Sequence, residues 1–168
     1  RNRNAVAILD GSETTAELLA LGNDVFQYFG LGCRNVSKIY VPKGYDFQPL
    51  LEALHEYNEV ILHNKYKNNY DYNLSILMLN RTPHLNNDCI LLTENQAIAS
   101  RIAMLNYEFY EDAGSLKSRL EERQEEIQCL VARDFEWSGS TVGFGKTQEP
   151  GLEDYADGVD TMGFLVEL

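Results

Sequence analysis

The residue in this sequence best suited to covalent chemistry is Cys33, which follows two glycines, Gly30 and Gly32. Glycine permits positive φ and close approach of other groups to the backbone, so the spacing predicts a thiol on a sharp turn. Arg34 and Lys38 follow, and nearby cations favour thiolate over thiol. Free backbone N–H groups there would complete an acyl-accepting nucleophile. On spacing alone, a cysteine beside glycines is more often a small, buried packing residue.

We expect the other cysteines, the histidines and the C-terminal aspartates to have structural roles. Cys89 and Cys129 lie in apolar stretches typical of core strands. The three cysteines lack CxxC spacing and histidine partners at zinc intervals, which indicates reduced thiols rather than disulfides or a metal site. We expect the histidines to be surface or capping residues: His55, His63 and His84. Three aspartates lack the spacing of a calcium loop, so no metal is expected: Asp154, Asp157 and Asp160.

A polar and aromatic stretch over residues 64–73 shows no hydrophobic period and is predicted to be a loop. Its side chains could wall an acyl or pantetheine channel and meet phosphates. The candidate substrate-binding residues are Lys65, Tyr66, Tyr70 and Tyr72.

The elements that would position these groups alternate between strand and helix. We predict strands over 5–9, 38–41, 75–79, 89–92, 101–107, 127–131 and 162–166, and helices over 14–30, 49–62 and 115–126. The first helix begins at a capping box formed by Thr14 and Glu17. This alternation predicts an α/β fold of three layers around a largely parallel sheet.

The composition disfavours nucleic acid and membrane surfaces as partners. The 168 residues include 26 acidic and 14 basic side chains, a net charge of −12, and 44% are hydrophobic. Such a chain suits one globular domain, and its charge repels nucleic acid and anionic lipid. No apolar run is long enough for a membrane span and no signal peptide opens the chain, so we expect a cytoplasmic location.

Residues 4–54 resemble the nucleophile region of the aldehyde dehydrogenase superfamily. The shared pattern is a strand, Asp-x-(Ser/Ala)-(Asp/Glu), a helix, Phe-x-x-x-Gly-x-x-Cys and a strand ending in Val. The matching residues include Asp10, Phe26, Gly30, Cys33 and Val41. Within that superfamily the chain is most similar to the long-chain acyl-CoA reductases of the bacterial luminescence type, through residues 30–38 and 155–160.

The resemblance implies a reaction. Cys33 would take the acyl group from acyl-CoA or an acyl-carrier thioester, and hydride from NADPH would reduce the enzyme thioester to a fatty aldehyde. The Cys33 N–H would stabilise the oxyanion, with Gly30, Gly32, Arg34 and Asn35 in support.

The chain also departs from the superfamily pattern. Leu31 stands where hydrolytic members carry Gln or Glu, which fits a reductase. No acid within residues 96–101 matches the ribose-binding glutamate, and Glu94 is out of register. No G-x-G-x-x-G occurs, and residues 143–146 resemble a phosphate loop only superficially. We therefore expect residues 1–168 to be one nucleophile-bearing domain of a longer reductase, inactive without its N-terminal dinucleotide-binding domain.

Two other functions stay open. The first is a non-catalytic module that forms homo-oligomers by pairing through the last predicted strand, residues 162–166. The second is a cysteine acyltransferase or thioesterase that uses no nucleotide. It would need a base near Cys33, and only the fold could bring His55, His63 or His84 there.

Overall fold

A sheet of seven strands forms the centre of the computed structural model, which describes residues 3–152, 154–155 and 159–167. The strands are β1 Asn4–Ile8, β2 Val36–Pro42, β3 Leu85–Asn86, β4 Leu91–Glu94, β5 Met104–Tyr110, β6 Ile127–Val131 and β7 Thr141–Val142. Their order is β3-β4-β5-β2-β1-β6-β7. Only the β3–β4 pair is antiparallel among these strands.

Helices cover both faces of this sheet. They are α1 Thr15–Phe26, α2 Gln48–His55, α3 Asn64–Leu79, α4 Ala113–Glu122 and α5 Thr161–Val166. One core cluster joins the sheet to α1, α2 and α3 through residues such as Leu21, Leu50 and Tyr66. A second cluster joins the other face to α4 through Leu116 and Leu120. The predicted three-layer α/β class with a mostly parallel sheet is confirmed.

The start of α1 follows directly from its sequence. Thr14 Oγ1 accepts from the Glu17 N–H at 3.3 Å, and Glu17 accepts from the Thr14 N–H at 2.8 Å, so the capping box is present. Arg133 binds the same Glu17 carboxylate. The cap therefore also ties α1 to the chain that leaves β6.

The predicted loop over 64–73 and strand over 75–79 are wrong, because both belong to α3. The buried residues of this helix are Tyr66, Tyr70, Asn73 and Leu77, whose spacings of four, three and four define one helical face. Three of these four residues are tyrosine or asparagine, which have modest helix propensity. Neither hydrophobic periodicity nor helix propensity therefore predicted a helix here. Side-chain hydrogen bonds tie this face to later parts of the chain, from Tyr66 to the Cys89 carbonyl and from Asn73 to the Ile102 carbonyl.

Other boundaries also differ from prediction. The helix expected over 49–62 ends at His55 and is followed by a 3₁₀ turn, Asn58–Leu62. The strand expected over 162–166 is the helix α5, whose Asp160 cap accepts from the Gly163 N–H at 2.8 Å. Of the segment 155–160, which carries part of the family resemblance, residues 156–158 lie outside the described residues. Within the described ranges, the helices are all too short or too polar to cross a bilayer.

The sheet places Cys33 at a defined edge. Because β1, β2 and β6 are parallel neighbours, their amino ends share one edge of the sheet. Helix α1 carries the chain from the carboxyl end of β1 back to that edge, where β2 begins. Cys33, three residues before β2, therefore lies at the amino edge of the central strands.

Candidate active site

The Cys33 side chain is exposed on a β-turn. The turn spans four residues, and the Asn35 N–H donates to the Gly32 carbonyl at 3.0 Å. Cys33 occupies the first central position of this turn rather than the first turn of a helix. The thiol is thus reachable from solvent at a tight bend.

The chain enters this bend through an unusual left-handed stretch. Tyr28, Phe29 and Gly30 have φ values of 52°, 60° and 73°. Consecutive left-handed residues are rare, and each non-glycine residue there costs about 1–2 kcal/mol. Gly32 serves a different need, because a Cβ at this position would lie 2.8 Å from Asn35 Oδ1. Gly30 thus adopts the positive φ, and Gly32 leaves space for the Asn35 side chain.

Asn35 holds the stretch and the turn together. Its buried amide Nδ2 donates to the carbonyls of Asp24 at 2.9 Å and Gln27 at 2.8 Å, and Oδ1 accepts from the Gly32 N–H at 2.8 Å. These bonds satisfy carbonyls that the end of α1 leaves unpaired. Asn35 is therefore the residue that fixes the position of the Cys33 turn.

Two main-chain donors accompany the thiol. Among the described residues, neither the Cys33 N–H nor the Arg34 N–H has a hydrogen-bond acceptor. Backbone donors beside a nucleophile can stabilise an oxyanion that forms on a bound carbonyl. The turn thus offers the donor that the sequence suggested at Cys33 and one more.

The two cations expected beside the thiol are engaged elsewhere. The Arg34 side chain is buried, with Nε donating to the Thr147 carbonyl at 3.1 Å and Nη2 lying 3.5 Å from Asp154 Oδ2. Lys38 Nζ donates to Glu108 at 2.5 Å and to the Gln96 carbonyl at 2.9 Å. Each cation thus pairs with groups distant in sequence, and its effect on Cys33 stays a prediction.

A second chain segment is fixed next to the Cys33 turn by buried Asp24. Its carboxylate accepts from the Gly145 N–H at 2.6 Å and the Thr147 N–H at 3.0 Å. Burial raises the pKa of Asp24, and its hydrogen bonds act in the opposite direction. Lys146 of the same segment pairs with Glu149. Within the stretch 143–146, the Gly145 N–H thus donates to Asp24 and the Lys146 N–H to the Gly143 carbonyl, so these donors are not free for a phosphate.

An exposed apolar surface flanks Cys33. Tyr28, Phe29 and Leu31 are 62%, 38% and 67% exposed. The Phe29 ring lies 4.4 Å from the His63 ring. This surface was not predicted, because Tyr28 and Phe29 continue the helical spacing of the α1 core face at three and four residues beyond Val25.

The other two thiols are buried in the core. Burial raises the pKa of Cys89 to about 12 and that of Cys129 to about 11. Both remain thiols near neutral pH and are shielded from solvent. Of the three cysteines, Cys33 alone is accessible.

The four residues expected to line a substrate channel lie on α3 instead of a loop. Tyr66 donates from its hydroxyl to the Cys89 carbonyl at 2.9 Å, and Tyr70 donates to Asn86 Oδ1 at 2.6 Å. Both rings are in the core, whereas Lys65 and Tyr72 are exposed on the outer side of the helix. The tyrosines therefore do not form one channel wall.

The histidines lie apart from one another. His55 Nδ1 contacts the Asn87 carbonyl at 2.8 Å, and His84 Nδ1 contacts the Thr82 carbonyl at 2.9 Å. In the part of the chain that the structure describes, no histidine hydrogen-bonds to Cys33, and no group of three His, Cys, Asp or Glu residues could hold a metal ion. Asp157 of the acidic tail lies outside the described residues.

Comparison with known proteins gives a fold likeness. No protein-family profile and no curated protein sequence matches the chain. Among solved structures, the chain is similar to an indole-3-acetaldehyde dehydrogenase complexed with NAD+, with a TM-score of 0.56, 11% identity, and coverage of 89% of this chain and 38% of that one. It is also similar to the aldehyde dehydrogenase KauB from Pseudomonas aeruginosa, with a TM-score of 0.52, 11% identity, and coverage of 82% and 34%.

These similarities establish an aldehyde-dehydrogenase-like fold for the chain. The chain spans less than two-fifths of the length of each of these two neighbours. At such identities the likeness concerns architecture, and chemistry must be argued from the site.

Proposed function

We propose that this chain is the nucleophile-bearing domain of an NADPH-dependent acyl-thioester reductase that acts on fatty acyl-CoA. The observation that carries the proposal is the exposed Cys33 thiol beside two unpaired backbone N–H groups. The aldehyde-dehydrogenase-like fold supports it, as does the resemblance of residues 30–38 to acyl-CoA reductases.

The acyl-transfer step uses only groups of this chain. The Cys33 thiolate attacks the carbonyl carbon, a new C–S bond forms, and the bond to the CoA sulfur breaks. The CoA thiolate leaves and takes up a proton from water, while the acyl group remains on Cys33 as a thioester. During attack, negative charge develops on the carbonyl oxygen, and the unpaired N–H groups of Cys33 and Arg34 are its proposed donors.

The apolar surface of Tyr28, Phe29 and Leu31 suits the hydrocarbon part of the substrate. These side chains flank the nucleophile and are exposed, so an acyl chain lying across them would remove apolar area from water on both sides. A long acyl chain would gain more from this surface than acetyl would. The surface replaces the α3 tyrosines as the proposed acyl contact.

A nicotinamide cofactor, when bound, supplies the hydride that converts the acyl-enzyme to aldehyde. The loop at 143–147 does not fit its pyrophosphate, because the N–H groups of Gly145 and Thr147 are bound to Asp24. We therefore propose that the dinucleotide is held mainly by polypeptide outside this chain. The 38% coverage of the NAD+-complexed neighbour is consistent with such an arrangement.

Acylation of the purified chain tests the proposal. Incubation with palmitoyl-CoA should release free CoA and add one acyl mass, mapped by mass spectrometry to Cys33. Cys33→Ala should abolish both signals, while the matched variant Cys129→Ala should keep them. Acyl addition that survives in Cys33→Ala would refute the assignment. Continuous turnover to free fatty acid would instead identify a thioesterase.

A second candidate function is assembly without catalysis. Helix α5 exposes Met162, Phe164, Leu165 and Val166, an apolar surface suited to contact with another chain. Light scattering of the wild type and Phe164→Ser would test this. A concentration-dependent dimer that Phe164→Ser dissociates, together with an unreactive Cys33, would favour this function over acyl transfer.

A further inference from the structure

A cleft of about 510 Å³ lies at the amino edge of the sheet, where β1 and β6 begin. Its walls include two aromatic residues, Trp137 and Tyr155, and the polar residues Gln128, Ser140 and Asp154. No part of the reaction proposed for Cys33 uses these side chains.

Two buried polar atoms of this cleft have no hydrogen-bond partner. They are the indole Nε1 of Trp137, a donor, and Oε1 of Gln128, an acceptor. Buried polar atoms are nearly always paired, so two orphans on one cleft require an explanation. The terminal torsion of a glutamine is soft, so the Gln128 amide can turn toward a group that enters the cleft. A hydroxyl group, which both donates and accepts, could satisfy both residues.

The charged residues that line the cleft are Arg3, Glu125 and Asp154, and Arg3 Nε donates to the Glu125 carbonyl at 3.0 Å. Asp154 accepts from Ser140 Oγ at 3.3 Å and from the Gly151 N–H at 2.9 Å, which leaves lone pairs on both carboxylate oxygens. Its charge is balanced by Arg34 at 3.5 Å. A strongly anionic or cationic ligand would therefore find no uncompensated partner charge at Asp154.

The aromatic wall is held in place by a glycine. A Cβ on Gly139 would lie 2.3 Å from Cζ2 of Trp137, so the indole packs directly against the backbone there. A fixed aromatic face next to a carboxylate and an amide suits a ring that is apolar on its faces and polar at its rim.

We propose that this cleft binds a neutral ring bearing vicinal hydroxyl groups, the chemistry shared by a free sugar and by the ribose of a nucleoside. Gln128 and Asp154 accept from the hydroxyls, Trp137 donates to one of them, and the indole contacts the ring. The site does not depend on Cys33 and stands or falls separately from the acyl-transfer proposal.

The chain contains one tryptophan, so intrinsic fluorescence reports on this cleft alone. Titration of the full chain with D-ribose, D-glucose, adenosine and adenine should give a saturable change of Trp137 emission for at least one hydroxylated probe and none for adenine. A response to the sugars identifies a free sugar as the ligand type, and a response to adenosine alone identifies a nucleoside. Calorimetry gives the affinity independently.

Matched variants make the test specific. Gln128→Leu should weaken binding about tenfold, because it removes one acceptor at similar volume. Asp154→Asn should weaken it as well. Gln48→Leu, the same change at an exposed glutamine of α2, should leave binding unchanged. The proposal is overturned if no hydroxylated probe binds, if adenine binds equally well, or if Gln128→Leu binds as tightly as the wild type.

Discussion

Asn35 Nδ2 donates to the Gln27 carbonyl across 2.8 Å, which links the last residue of the Cys33 turn to the residue before the left-handed stretch. The same side chain binds the Asp24 carbonyl and the Gly32 N–H. A single buried amide thus determines how the chain passes from α1 to β2.

Replacement of Asn35 should be costly. Asn35→Ala leaves buried backbone groups without partners, and we expect the free energy of unfolding to fall by about 3 kcal/mol. Asn69→Ala, at a partly exposed asparagine whose hydrogen bond to the Lys65 carbonyl is open to solvent, should cost less than about 0.5 kcal/mol. Urea denaturation monitored by circular dichroism measures both. Equal losses would show that the bonds of Asn35 are not specific supports.

The left-handed stretch predicts an asymmetry between two tyrosines. Tyr28 and Tyr72 are 62% and 61% exposed, but Tyr28 has φ of 52° and Tyr72 lies within α3. Tyr28→Gly should raise the free energy of unfolding by up to about 1 kcal/mol, because glycine adopts positive φ without strain. Tyr72→Gly should lower it by about 0.5 kcal/mol. Thermal unfolding of the two variants gives the comparison, and changes of the same sign would contradict it.

In the buried Lys38–Glu108 pair, we expect removal of Glu108 to lower the free energy of unfolding more than removal of Lys38 does. The Lys38 side chain is fully buried and burial lowers its pKa, while Glu108 is partly exposed. Glu108→Gln leaves a buried ammonium without its counter-charge and should destabilise the fold by about 2–3 kcal/mol. Lys38→Met replaces the charge by an apolar chain of similar length and should cost less. Denaturant midpoints of both variants test the order.

Glu17 predicts a loss of stability in acid. Hydrogen bonds from Arg133 and Thr14 hold the pKa of Glu17 at about 2, against an ordinary value of 4.5. A carboxylate with a lowered folded-state pKa stabilises the fold above its unfolded pKa, and this contribution disappears as pH falls through the folded pKa. The stability difference between wild type and Glu17→Gln should therefore be constant near neutral pH and shrink between pH 4.5 and about 2. Glu52→Gln, at an exposed carboxylate of α2, is the control.

The parts of the fold predicted from sequence are those set by local signals. The capping box fixed the start of α1, and the apolar run at 127–131 matches β6 residue for residue. The tight turn at Cys33 followed from its glycines. Helix α3 was missed because its buried face consists of Tyr66, Tyr70 and Asn73, whose burial depends on strands that come later in the chain.

Distant partners explain why the pairing of the two cations could not be predicted. Arg34 binds a carbonyl 113 residues away, and Lys38 binds a carboxylate 70 residues away. Nothing adjacent to either cation in sequence indicates these pairings. The left-handed conformations of Tyr28 and Phe29 were equally hidden, since neither residue type favours them.

Both borders of the sheet end in two-residue strands, β3 and β7. So short a border exposes few unpaired backbone groups, and it gives an incoming strand almost no template to extend. The sheet is therefore protected against strand addition and fibril-like growth at either end. Among the described residues, these borders favour association between copies through side chains over a continuous ladder of backbone hydrogen bonds.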